Sequence, residues 1–285
     1  MCSLPTLDRL RMLGEIRIGF QRHTPPFSYA TREQWPIGYS VALATEVTDA
    51  LASLLGAPLR MLPVEVTSST RTARLISGEI DVECGSTTIT EARQRHVAFS
   101  RPIFHTAHRL ALKARCSLSS PHTIRVTGIT GSTSHRALLD ASGGRCTPHF
   151  VGRPSIGEAF DAFVEDDEID GIVADEVILA GLMPRAHQGG LVLAGQRLGS
   201  EHYGFMMRHA DRAFHEAVNH ALGAVLQAPD FARRYARWFD RPLPGLGFSL
   251  GLDFERQLPH LTRPGPESAA GSLQIPPTRH PRGST

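Results

Sequence analysis

Lysine is almost missing from this chain: of its 30 Lys and Arg residues only Lys113 is a lysine. Nearly every cation is therefore a guanidinium, a pattern that fits genomic codon bias and carries no stability argument by itself. Cysteine is scarce too, and Cys2, Cys84, Cys116 and Cys146 show no C-x-x-C spacing, which excludes a metal or redox motif of that kind. Cys84 lies in an apolar strand pattern and reads as a small buried hydrophobe. A Cys116–Cys146 disulfide stays open, because spacing alone does not set the geometry a bridge requires. No apolar run approaches the roughly eighteen residues of a membrane-spanning helix. Charge of one sign is also lacking: the net +2 creates no field that marks a nucleic-acid or membrane partner. No G-x-S-x-G elbow and no phosphate-binding G-x-x-x-x-G-K-[ST] loop occurs. The G-L-G-F-S-L-G run at 245–251 misses the dinucleotide spacing and follows no strand. His209, His215 and His220 fall on or near one helix without H-E-x-x-H spacing or a completing carboxylate, so no metal and no cofactor are expected. The first residues, M-C-S-L-P-T-L-D-R-L-R-M-L-G, lack an apolar signal core.

What is present is a globular composition, 41% apolar in 285 residues, enough for one large domain or two medium ones. Strand-like and helix-like segments alternate. Apolar residues at 16, 18 and 20 predict a strand over Ile16–Phe20. Those at 41, 44, 47, 51, 54 and 55 predict a helix over Val41–Leu55, with Ser40 as N-cap and Gly56 with Pro58 as its stop. Leu59–Val64 and Ile80–Cys84 read as strands around a short helix at Arg71–Ser77. A second series follows: strands at Thr123–Ile129, Cys146–Val151 and Ile169–Ala174, with helices at Ser134–Ser142, Ser155–Glu165 and Asp175–Gly181. Tyr203–Met207 then reads as a strand, and Asp211–Gln227 and Asp230–Phe239 as helices. Such alternation implies parallel sheets covered by helices, in two α/β lobes with a ligand cleft at the carboxyl ends of the strands. The Pro, Gly and Ser of residues 262–285 predict a disordered tail.

The chemistry concentrates in residues 80–104, I-D-V-E-C-G-S-T-T-I-T-E-A-R-Q-R-H-V-A-F-S-R-P-I-F. An apolar strand ends at Gly85, then come the hydroxyls of Ser86, Thr87, Thr88 and Thr90, then Arg93. Hydroxyl donors beside a planar guanidinium fork suit a small carboxylate, most naturally that of an amino acid.

The chain resembles the periplasmic solute-binding proteins of polar amino-acid ABC transporters (family 3), and most closely the glutamate/aspartate-binding proteins. The residues that carry the resemblance run from about Thr6 to Leu261. They include P-P-F-S-Y at 25–29, G-Y-S at 38–40, T-S-S-T-R at 67–71, E-C-G-S-T-T at 83–88 and V-A-F-S at 97–100. G-S-T-S at 131–134, A-D-E at 174–176, Y-G-F-M-M-R at 203–208 and R-W-F-D at 237–240 continue it in order. The resemblance implies an α/β, two-lobe, type II (Venus-flytrap) fold with mostly parallel sheets and two hinge strands. Its first lobe comprises about 1–109 plus 200–261 and its second 110–199. It also implies a periplasmic, monomeric protein that serves ABC permease membrane subunits, with a leader that this sequence does not contain. Cys2 beside the initiator Met is open to a lipoprotein reading.

Residue by residue, the resemblance places Arg93 on the ligand α-carboxylate with Ser86 and Thr88 beside it, and Asp175 on the α-ammonium. Ser132 and Thr133 match a turn whose N–H groups face the ligand. Ser68 and Arg71 match polar groups near the ligand side chain. Two positions depart from the glutamate/aspartate pattern: Gln21 stands where an arginine is expected and Ile156 where a histidine is. Each departure removes a cation-capable group, so glutamine, another polar amino acid or a small dicarboxylate joins glutamate and aspartate as candidate ligand. Phe27 reads either as core or as a ligand cover, and Asp175 as helix N-cap, ligand partner or both. An enzyme similar to the cyclohexadienyl dehydratases, which share this fold, is the alternative, with Glu83 and Asp175 as its candidate carboxylates.

Overall fold

The computed structural model describes residues 4–30, 35–114, 116, 122–141, 146–185, 191–193 and 197–252. The tail at 262–285, Cys2 and the end of the helix expected at Ser142 lie outside these. The chain divides into two compact units, with the change of unit at His105/Thr106 and again at Ser200/Glu201. It leaves the first unit along the strand Phe104–Lys113 and returns along Ser200–Tyr203.

The first unit is built on a sheet whose strands lie in the order Arg60–Glu65, Glu15–Phe20, Val82–Glu83, Met206–Arg208, Val97–Phe99. Glu15–Phe20 pairs in parallel with both its neighbours, whereas Met206–Arg208 is antiparallel to both of its own. The sheet is therefore mixed, not mostly parallel as the α/β alternation implies. The reason is that the returning chain adds its strand with reversed direction. Ile16, Ile18 and Phe20 are all buried, as their alternation requires.

The helix Tyr39–Leu55 buries Leu43, Val47, Leu51 and Leu55. Its N-cap is Gly38, not Ser40, which lies inside the helix and donates from Oγ to Gly85 O at 2.9 Å. Gly38 has φ +135°, and a Cβ there would lie 2.2 Å from Phe27 O, so no side chain fits. Gly56 closes the helix in the left-handed conformation, as its sequence position predicts.

The elements that escape the sequence patterns include the helix Thr6–Leu13 and the ten-residue strand Phe104–Lys113. The single strand expected over Tyr203–Met207 is two, Ser200–Tyr203 and Met206–Arg208. Between them Gly204 N–H donates to Thr87 O at 3.1 Å and Phe205 N–H to Ser100 Oγ at 3.0 Å, which replaces the sheet ladder locally.

Aromatic packing joins distant segments inside this unit. Phe27 is completely buried, with ring centroids 4.9 Å from Phe104, 5.0 Å from Tyr203 and 5.9 Å from Phe239. The ligand-cover reading of Phe27 is thereby corrected: its ring is consumed by edge-on aromatic contacts. Asp81, fully buried, accepts from Arg17 N at 2.9 Å and is paired with Arg9 at 2.6 Å and Arg208 at 3.4 Å. Arg208 also donates to Thr6 Oγ1 at 2.6 Å, so one carboxylate ties the first helix to the sheet.

The second unit has strands in the order Cys146–Arg153, His122–Ile129, Gly171–Asp175, Phe104–Lys113, Leu191–Leu193. It is mixed as well: Gly171–Asp175 runs parallel to His122–Ile129 and antiparallel to Phe104–Lys113. Leu110, Leu112, Ile124, Val126, Leu138 and Val173 form its core. Cys116 faces Asp170, with Sγ 3.5 Å from Oδ1; the side chain of Cys146, its expected disulfide partner, lies outside the described residues.

Candidate functional site

The residues singled out by the sequence fall into two groups, one in each unit. In the first unit the strand Val82–Glu83 ends beside the strand Glu15–Phe20, which brings Glu83 next to Gln21. Glu83 has no solvent exposure. Its Oε1 accepts from Gln21 Nε2 at 3.4 Å and its Oε2 from Thr87 Oγ1 at 2.7 Å. Arg71, also buried, donates from Nη1 to Thr87 Oγ1 at 2.5 Å and lies 3.9 Å from Glu83 Oε1. Ser68 Oγ completes the network by donating to Gln21 Oε1 at 3.3 Å. A buried carboxylate is tolerable only with such partners, and here a guanidinium, an amide and a hydroxyl supply them. Much of Arg71's charge is accordingly answered within the protein. Gly85 makes the arrangement sterically feasible, since a Cβ there would lie 2.5 Å from Glu83 Oε1 and 2.8 Å from Gln21 Nε2.

This network also bears on Glu83 as a general acid: it is a fully enclosed, multiply hydrogen-bonded carboxylate. Cys84 beside it is buried, and burial, reinforced by the Glu83 charge, pushes its thiol pKa well up. It stays a neutral hydrophobe, in agreement with its strand pattern.

The hydroxyl run after Gly85 does not form one anion-facing cluster. Thr87 belongs to the Glu83 network. Thr88 Oγ1 donates to the buried Glu201 at 2.6 Å. Thr90 is the N-cap of the one-turn helix Glu91–Gln94, accepting from Arg93 N. Ser86 is half-buried. Arg93, half-buried, is anchored by an Nη1 donation to Thr88 O at 2.8 Å. This bond orients the planar guanidinium. Glu201 was not legible as a partner, being 113 residues from Thr88.

In the second unit Asp175 ends the strand Gly171–Asp175 and stands at the N-cap of the helix Glu176–Leu182, yet its side chain makes no capping bond. Oδ1 instead lies 2.8 Å from His108 Nδ1 and 3.3 Å from Ser134 Oγ. Both partners are buried, and neither was singled out by the sequence. The strand register explains the pair, because His108 is directly opposite Asp175. Ser132 is the N-cap of the helix Thr133–Asp140, where its hydroxyl accepts from His135 N at 3.1 Å. Thr133 opens that helix and is half-buried. Ile156 is the buried first residue of the helix Ile156–Glu165 and brings no charge. His215, weighed as a metal ligand, has Nε2 at 2.7 Å from Phe99 O.

Residues 16–241 match the model of the bacterial extracellular solute-binding proteins, family 3. The chain belongs to this family. This solute-binding protein is 30% identical over 275 residues to the L-glutamate/L-aspartate-binding protein of Pseudomonas aeruginosa, across 94% of this chain and 91% of the relative. It is 25% identical over 259 residues to the glutamate/aspartate import solute-binding protein of Escherichia coli, across 89% of this chain and 85% of the relative. Among solved structures it is similar to the ancestral amino acid-binding protein AncCDT-1, a precursor of cyclohexadienyl dehydratase. There the TM-score is 0.67 at 22% identity, over 82% of this chain and 99% of that one, a likeness of fold. The α/β, two-lobe type II architecture of the binding proteins is the fold of this chain.

Proposed function

We infer that this protein binds a polar or acidic L-amino acid in the periplasm, as a monomer, and delivers it to the membrane subunits of an ABC permease. The observation that carries this reading is the 30% identity, along nearly the whole chain, to a protein named for binding L-glutamate and L-aspartate. The anchoring of Arg93 and the unusual setting of Asp175 support it. In this reading Arg93 takes the α-carboxylate, with Ser86 and Thr88 alongside, and Asp175 takes the α-ammonium. The N–H groups at Ser132 and Thr133 add donors to the carboxylate end. Gln21, Ser68 and Arg71 meet the ligand side chain. A guanidinium paired with a carboxylate and an ammonium paired with an aspartate gain strength as water is excluded. The fully enclosed Glu83, held by three partners, argues for binding without turnover.

Calorimetry of the purified protein against the twenty amino acids and common dicarboxylates tests the reading. We expect at least one ligand to bind with a Kd on the order of micromolar, about −8 kcal/mol. A thermal-shift screen should agree, since a ligand at about a hundred times its Kd adds roughly 2.7 kcal/mol of apparent stability. Heats indistinguishable from dilution for every compound would remove the reading. Turnover of prephenate or arogenate would replace it with the dehydratase.

A further inference from the structure

The three side chains of the second unit's cluster come from three elements: His108 from the strand Phe104–Lys113, Ser134 from the helix Thr133–Asp140 and Asp175 from the strand Gly171–Asp175. They are 4%, 5% and 9% exposed. An aspartate at a helix N-cap ordinarily turns its carboxylate onto the N–H groups of the first turn. Asp175 declines that bond and directs Oδ1 to the imidazole and the hydroxyl.

The geometry also fixes the imidazole. His108 Nδ1 lies 2.8 Å from Asp175 Oδ1 and 2.9 Å from Ser134 Oγ. An ionised carboxylate can only accept, so Nδ1 carries the proton and donates it to Oδ1. Ser134 donates to the same oxygen. Two donors on a single oxygen, from different elements, set both the direction and the plane of the carboxylate. Glu176, next in the chain, is 2.9 Å from Arg197 and 3.8 Å from Arg109.

We propose that His108 is a positioning residue for ligand capture: with Ser134 it holds the Asp175 carboxylate off its own helix and presents it to a ligand ammonium. This rests on the reading that Asp175 receives the α-ammonium, and it adds a residue that the sequence reading above does not single out. The Nδ1 donation and the Ser134 hydroxyl together orient the aspartate toward the ligand. The ligand feature selected by this cluster is a primary ammonium.

The test is calorimetry with L-glutamate and L-glutamine as probes, on the wild type and on His108→Leu and His108→Gln. Loss of a hydrogen bond to an ionised partner predicts a Kd about tenfold or more weaker for His108→Leu with whichever probe the wild type binds. His108→Gln, whose amide N–H reaches toward the same oxygen, recovers most of that loss. Equal affinity of His108→Leu and wild type overturns the proposal, and so does a His108→Gln variant as weak as His108→Leu. A wild type silent to both probes and to the other amino acids instead overturns the amino-acid reading itself. Long-range 1H–15N spectra of the wild type, with His108 assigned by its loss in His108→Gln, give a readout independent of the folding of any leucine variant. They should place the proton on Nδ1, and a proton on Nε2 alone contradicts the arrangement.

Discussion

Glu83 shows how a single buried charge organises its surroundings. It has no access to water, so each partner it loses exposes part of its desolvation cost. Gly85→Ala places a methyl group against Glu83 and Gln21, and we expect a loss of about 1–3 kcal/mol in urea unfolding, the usual cost of overpacking. His135 offers a pH test. Its ring stacks on Phe150 at 3.6 Å, and burial, helped by Arg136, lowers its pKa from the ordinary 6.5. Protonation is therefore penalised more in the folded chain than in the unfolded one. The contribution is fully present above 6.5 and is lost as pH falls from 6.5 through the depressed folded value. Urea midpoints of wild type and His135→Gln should diverge less in mild acid than at neutrality, and an unchanged difference would contradict the assignment. At this scale the sequence identified Arg71, Arg93 and Asp175 as chemically notable but not their partners. Glu201 and His108 reach Thr88 and Asp175 across 113 and 67 residues, and no local pattern encodes such pairs.

Among elements, the clearest dependence is that of the helix Thr6–Leu13 on Asp81. Arg9, Arg17 and Arg208 converge on that carboxylate, and Arg208 also holds Thr6. Asp81→Ala leaves three guanidinium groups around an empty position, and breaking a buried pair of this kind costs about 3–5 kcal/mol. The expected result is a lower melting temperature together with faster hydrogen exchange in the first helix. Intact protection there would separate the helix from the clamp. Most helices and the central strands were legible because each carries one clear period and a glycine or cap at its end, as at Gly56 and Asp211. The strand Phe104–Lys113 was not, since its ten residues mix buried His, Thr and Ala with no steady alternation. The cap at Gly38 was missed because Ser40 is a better-known cap, while the backbone conformation and the contact with Phe27 O select glycine.

For the whole molecule, the decisive property is that one chain visits the first unit twice. Phe27, Tyr39, Phe104, Tyr203 and Phe239 come from both visits and share one aromatic core. The returning strand Met206–Arg208 makes the first sheet mixed, which local alternation had no means to reveal. In the proposed function Arg93 and Asp175 together recognise a zwitterion. The most direct measurement of that recognition is calorimetry of Arg93→Gln and Asp175→Asn against the amino acid that the wild type binds best. Loss of a charge-assisted partner predicts a Kd weaker by about tenfold to a hundredfold in each variant, with both chains still folded. Wild-type affinity in either folded variant would contradict the claim.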